Sequence, residues 1–306
     1  MGSTVKRLEE KQLVRPPSWM ADCIQYETLM GSVAYGVSSD SSDNDLYGFC
    51  IPPKDIVFPH MAGDIQGFGR QKKRFDQFQK HHIHDEDAAG GHGKDWDVSI
   101  YNIVRFFQLV MDNNPNMVDA LFTPRNCVIH STPIAEMVRD RRKIFLHKGC
   151  WHKFKGYAFS QLAKMKSQHR EGKRAAIVEK FGYDVKFAYH VVRLLDEVEQ
   201  ILTLGDLDIT RAREHMKAIR RGDVSREDVE RFFTEKEHQL ESVYQNSTIP
   251  YKPEEARIKQ LLLDCLEQHY GTLGEAIVNK GAHLEALRRI EEICRAQLVA
   301  SGCGRN

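Results

Sequence analysis

The sequence predicts an α+β fold, a small mixed β-sheet flanked by helices over residues 21–140 followed by an all-helical region over 141–306. Three observations predict it. Two apolar runs, Ile24–Met30 and Leu46–Ile51, have strand length rather than helix length and bracket a Gly-Ser turn. Further on, Val98, Ile100, Ile103, Val104, Phe106, Phe107, Val110 and Met111 read first as alternation and then as a helix face. From residue 185 onward the apolar spacing is helical and is punctuated by glycine and proline.

Residues 1–20 form a charged segment halted at Pro16-Pro17, and the opening MGS reads as an expression remnant. The first strand, IQYETLM, runs into Gly31-Ser32, where glycine permits a tight turn and serine adds a hydroxyl donor suited to a phosphate. Asp43-Asn44-Asp45 opens the second strand. Carboxylates at i and i+2 on an extended segment point the same way and so can share divalent cations. Next, His81, His82, His84, Asp85, Asp87 and His92 lie in a polar, glycine-rich stretch that reads as an exposed loop between strands, near the mouth of the site; their spacing matches no standard zinc pattern. Asp97 enters the alternating pattern directly, with Asp95 in reserve. A helix is expected from near Ser99, which Asp97 is also placed to cap, and Asn114-Pro115-Asn116 is expected to close it.

In the helical half, residues 185–202 give the clearest helix, with Ala188, Val191, Val192, Leu195, Val198 and Leu202 on its apolar face. Lys186, His190, Arg193 and Glu197 make a polar stripe along it. Two readings of the stripe stand side by side: a solvent face held by an Arg193–Glu197 pair, or the wall of a cleft. Breaks at Gly205-Asp206, Gly222-Asp223 and Ile249-Pro250 separate the later helices, and helical spacing resumes over Pro253–Tyr270 and His283–Val299.

Gly31-Ser32, ten residues, then Asp43-Asn44-Asp45, set between two strands, resembles the DNA polymerase beta-like nucleotidyltransferase superfamily. Met30 stands where many members carry a second glycine. The likeness extends through Asn114-Pro115-Asn116, the MVDALFTP that follows and Gly182-Tyr183-Asp184-Val185-Lys186, which look like a bacterial and phage branch of that superfamily; it covers most of residues 24–250. The resemblance implies a nucleotidyltransferase core over 21–140, with the active site between it and the helical region. It implies catalytic carboxylates at Asp43, Asp45 and Asp97 that hold two Mg2+ ions, with Mn2+ as a substitute. Nucleotide contacts would come from Gly31 and Ser32 and, on the cleft reading, from Lys186, His190 and Arg193. The implied reaction moves a nucleoside monophosphate from a nucleoside triphosphate to an acceptor hydroxyl, releasing pyrophosphate. Three acceptors stay open: an RNA 3′ end such as that of tRNA, which leads; a protein hydroxyl, such as that of a toxin partner; and a small molecule. A catalytically silent nucleotide- or RNA-binding protein is the alternative from a different class.

Charge placement bears on the acceptor. The net charge is only +1, yet Arg139 to Lys186 carries fourteen Lys or Arg against four acids, interleaved with Phe145, Trp151, Phe154, Tyr157, Phe159, Phe181 and Tyr183. Cations with stacking rings suit a polyanion with exposed bases, so Lys164, Lys166, Arg170, Lys173 and Arg174 are candidate RNA contacts. The plainer reading is a solvated helix surface with its rings in the core. Other classes lack support. Gly90–Asp95 misses the P-loop spacing and its Ser or Thr, and Gly67-Phe68-Gly69 fails the dinucleotide fingerprint. No apolar run approaches the roughly 20 residues that span a bilayer. Seven scattered cysteines without a C-x-x-C spacing read as reduced thiols, and with no leader sequence the expected location is cytoplasmic.

Overall fold

The structure, a computed structural model, describes residues 2–38, 42–70, 73–166, 173–271 and 287–294. In chain order its elements are α1 (Thr4–Glu10), β1 (Ile24–Met30), α2 (Gly31–Ala34), β2 (Asn44–Cys50), α3 (Lys54–Val57), β3 (Gln77–Asp85), α4 (Ala88–Gly91), β4 (Lys94–Asn102), α5 (Ile103–Met111), α6 (Pro115–Phe122), β5 (Val128–Ser131) and α7 (Pro133–Asp140). The helical half follows with α8 (Cys150–Lys166), α9 (Lys173–Phe181), α10 (Val185–Leu204), α11 (Arg213–Arg221), α12 (Arg226–Asn246) and α13 (Glu255–Tyr270). Residues 287–294 are also helical. The fold is therefore mixed α+β, as the sequence predicts.

The five strands lie in the order β3-β4-β2-β1-β5. β1 runs antiparallel to β2 and β5, β3 antiparallel to β4, and β2 parallel to β4. Each face of the sheet buries an apolar layer. On one, Val5 and Leu8 of α1 pack with Leu46, Trp96, Val98 and Ile100. On the other, Tyr26, Phe49 and Tyr101 join a larger core that continues without a break through Trp151, Tyr189 and Leu195 to Leu266. Each large side chain sealed in that core contributes about 1.5–3 kcal/mol, so the sheet and the helical half are held against each other by one apolar body.

Several boundaries differ from those expected. The helix after Asp97 starts at Ile103, because Asn102 takes an extended conformation and its side chain accepts from the Val104 amide at 3.1 Å; Ser99 lies within β4. Asn114 opens α6 rather than closing α5, with its side chain accepting from the Met117 amide. His81, His82, His84 and Asp85 belong to a strand, not a loop. β3 forms the sheet edge, where a polar surface is tolerated, and this hid the strand from an apolar-pattern reading. Ser3 opens α1. Its hydroxyl caps α1 and donates to the buried Glu27 carboxylate at 2.8 Å, which also accepts from the Thr4 and Val5 amides at 2.6 and 3.0 Å. The expected helix after Gly182-Tyr183-Asp184 is present as α10, where Asp184 caps the Lys186 amide at 3.0 Å and Gly205, at φ 60°, ends it. All six described cysteines are free thiols.

Candidate active site

β1 ends at Met30, whose strand partner on β2 is Asp45. The chain then reverses at Gly31, at φ +63°, a left-handed conformation that a side chain disfavours, and winds one turn of α2. Any Cβ at Gly31 would collide with Asp45 Oδ2, so glycine lets the carboxylate lie directly against the turn. Ser32, half-buried, follows within α2.

The next placement comes from strand register. β2 and β4 are parallel, and Asp45 is the direct partner of Asp97. Partners on neighbouring strands about 4.8 Å apart point to the same face. Asp43, exposed, stands two residues ahead of Asp45. Burial raises the Asp45 carboxyl above its ordinary value; the Lys186 ammonium acts against this, Asp97 and Asp43 add to it, and His81 lowers it. The three acids thus feel one another, and Lys186 and His81 share their space.

A β-bulge holds Asp97. The β3–β4 register slips between Lys80 and Ile83, so His81 and His82 together oppose Asp97. His82 is left-handed at φ 55°, and its amide donates to Asp97 Oδ1 at 2.8 Å. His81 Nδ1 lies 3.4 Å from the other oxygen, Oδ2. Asp95 sits 2.7 Å from His84 Nδ1 and lacks the register with Asp45, which favours Asp97 over it. Among the described residues no three carboxylate, imidazole or thiol groups are drawn together tightly enough to hold a metal ion as they stand. The donor set nevertheless fits hard divalent cations: carboxylate oxygens only, mutually repelling, and none of the three in an ion pair with Lys or Arg.

The stripe on α10 divides between these settings. Lys186 is exposed beside Asp45. His190 packs tilted against Tyr189, with ring centroids 4.3 Å apart, and lies edge-on to Tyr35; its Nδ1 is sealed and unpartnered. Burial, followed by Arg193, Lys186, Arg174 and Arg220, pushes its basicity well down, so the ring is neutral. Arg193 does not face a cleft, which corrects its expected contact with a triphosphate. It is 2% exposed, ion-paired with Asp119 and with Glu197 at 2.9 Å, and stacked over Tyr35, whose hydroxyl donates to Asp119 at 2.8 Å. Arg193–Glu197 is accordingly a buried pair and not a surface one.

The basic stretch largely follows the plainer reading. Phe145, Trp151, Phe154 and Tyr183 are core residues, Tyr157 and Phe181 are partly buried, and only Phe159 of the seven rings is exposed. Lys166 pairs with Glu230 at 3.1 Å, Arg174 pairs with Asp184 and stacks on Phe187, and Lys164 lies over the same ring. Arg170 and the Lys173 side chain lie outside the described residues. The helix expected before Gly222-Asp223 is present as α11, but its contacts with the turn were not foreseen: Arg220 donates to the Val37 carbonyl just beyond α2, and Gly36 leaves room for the Arg213 side chain. No local pattern announces contacts between residues so far apart in the chain.

A mixed sheet carrying Gly-Ser at the end of one strand and Asp-x-Asp at the start of the next is the arrangement of a polymerase beta-like nucleotidyltransferase. More closely, the chain belongs to the RNA repair pathway DNA polymerase beta family, which it matches over residues 3–272. Among solved structures it is similar to a nucleotidyltransferase-like protein from Exiguobacterium sibiricum 255-15, at 10% identity over 94% of this chain and 90% of that one, with a TM-score of 0.28. No curated protein matches. Among the described residues no helix is long and apolar enough to cross a membrane.

Proposed function

We propose that this nucleotidyltransferase family member transfers a nucleoside monophosphate from a nucleoside triphosphate to the 3′ hydroxyl of an RNA, using divalent cations held by Asp43, Asp45 and Asp97. The observation that carries the reading is the register pairing of Asp45 with Asp97 beside a glycine that admits only the carboxylate. The family's description as an RNA repair pathway supports the choice of acceptor.

On this reading Asp43, Asp45 and Asp97 would hold two divalent cations, Mg2+ or Mn2+ in its place. Bound ions supply charge neutralisation for the triphosphate and acidify the acceptor hydroxyl. The Gly31 amide and Ser32 hydroxyl donate to the outgoing phosphates, and the Lys186 ammonium adds positive charge near Asp45. The acceptor oxygen bonds to the α-phosphorus as the bond to pyrophosphate breaks, and Asp97 accepts the hydroxyl proton. Positioning and electrostatics provide most of the rate. The His81–His82 bulge orients Asp97, and His190 acts as a neutral wall rather than a charged contact.

Incubation with each labelled nucleoside triphosphate and either total RNA or total protein tests the proposal. Label is expected in RNA, dependent on divalent metal. Label in protein alone would replace the RNA acceptor with a protein hydroxyl, and label in neither would favour the silent binding protein.

A further inference from the structure

The face of the sheet that carries the acids continues past them toward the core. On β2 and β4 the register pairs Asp45 with Asp97, then Tyr47 with Ser99, then Phe49 with Tyr101, and alternate residues of a strand share a face. Tyr47 is half-buried, and its hydroxyl sits in the field of Tyr101, Asp45, Tyr157 and Asp97. Its ring stands 6.4 Å from that of Tyr101, and among the described residues its hydroxyl has no hydrogen-bond partner. Gln79, exposed on the edge strand β3, is the register partner of Ser99 and donates to the Ser99 hydroxyl at 3.3 Å.

One cation completes this margin. Arg105, in the first turn of α5, is half-buried beside Tyr101; burial raises the Tyr101 hydroxyl, and Gln79 and Arg105 act against that rise. Among the described residues Arg105 meets no carboxylate. That sets it apart from the basic run at 139–186, where Lys153 pairs with Asp112, Lys155 with Glu237 and Lys166 with Glu230. A guanidinium taken partly out of water without a partner costs stability, and its planar fork matches a phosphate. From Asp97 to Tyr101 the strand β4 rises by about 13 Å. A nucleic acid strand with its 3′ hydroxyl at Asp97 therefore passes Tyr47 and Gln79 before it reaches Arg105.

We propose that Tyr47, Gln79 and Arg105 seat the RNA acceptor on this face: the terminal nucleoside lies against the Tyr47 ring and hydroxyl, Gln79 hydrogen-bonds to the strand at the sheet edge, and Arg105 binds a phosphate behind it. The inference rests on the nucleotidyl-transfer reading above and assigns its acceptor surface to the sheet rather than to residues 164–174. An aromatic ring stacks any base, and an unpaired cation releases counterions from the strand without first breaking an ion pair.

Binding of a fluorescein-labelled oligouridine to the full chain across a salt series tests the seat. Arg105→Gln is expected to bind about tenfold more weakly and to lose about 0.7 units of log–log salt slope, the signature of one phosphate contact on a single strand. Tyr47→Leu should weaken binding about tenfold with the slope intact, whereas Lys166→Gln should match wild type. Gln79→Ala, at an exposed position where folding is not at risk, should bind several-fold more weakly. Thermal unfolding checks that each variant is folded, and Mg2+-dependent binding of a fluorescent nucleoside triphosphate should persist in all of them. Wild-type affinity and slope in Arg105→Gln, or wild-type affinity in both Tyr47→Leu and Gln79→Ala, overturns the seat. So does a wild-type protein that binds triphosphate with metal but no oligouridine, an outcome that leaves the transferase reading standing. Arg105-dependent RNA binding without any metal-dependent triphosphate binding would instead contradict the transferase reading, and with it the role of this face as an acceptor seat.

Discussion

Two groups of acidic side chains lie along α10, and the protein treats them in opposite ways. Asp119 and Glu197 are sealed in the core, where Arg193 and the Tyr35 hydroxyl meet their oxygens. Asp43, Asp45 and Asp97 gather at the sheet's rim with no arginine or lysine in contact; Lys186 acts on Asp45 only through space. Lys186 and Arg193 are two turns apart on one helix, about 10 Å of rise. Where the chain supplies its own cation the cluster is structural, and where it leaves carboxylates facing one another without one, the cluster is the one proposed to take cations from outside. Burial pushes the Glu197 carboxyl well above the ordinary carboxylate range, and the Arg193 guanidinium acts against that rise.

The contrast breaks most visibly at Asp45. Asp45→Asn is expected to lower nucleotide transfer by about a thousandfold or more, through loss of charge stabilisation at the reacting phosphate, with its unfolding curve unchanged in urea. Retained transfer would mean that the rim acids are not the metal ligands. Arg193→Met, two turns along, should do the reverse: about 3–5 kcal/mol of stability lost, because a buried carboxylate is left unpaired, as read from the same urea curves. A smaller effect is expected at the junction of turn and rim. Gly31→Ala forces a left-handed alanine, costing about 1–2 kcal/mol, and drives Asp45 from its place, so transfer should fall more than stability does.

The finest test of the contrast is pH. Because the folded Glu197 pKa is raised above its ordinary 4.5, the folded state binds this proton more tightly. That contribution to stability is full below the unfolded value and is lost as pH rises through the folded one. Glu197→Gln, which mimics the protonated acid, should therefore flatten the decline of melting temperature with rising pH. An unchanged slope would show that Glu197 does not titrate against Arg193.

Much of the rim was legible in the sequence, because its signals are local. Gly31, Ser32, Asp43 and Asp45 lie within one turn and its two strands, and Asp97 announces itself where alternation begins. The core group was not legible. Arg193 and Glu197 look like an ordinary surface pair at i, i+4, and only packing against Asp119 and Tyr35, far off in the chain, reveals their burial. β3 escaped notice because an edge strand has no need of apolar alternation, and with it went the bulge on Asp97. The ion pairs of the charge run at 139–186 were hidden for a related reason, since their acids lie on α12, α13 and in loops where no spacing rule links them to it.

Mn2+ binding followed by electron paramagnetic resonance, with a non-hydrolysable triphosphate analogue present, tests most directly whether the rim group is built for external cations. The account predicts saturable binding in the wild-type protein that is lost in Asp45→Asn and Asp97→Asn and kept in Glu197→Gln. Equal Mn2+ binding in wild type and in both aspartate variants would contradict it.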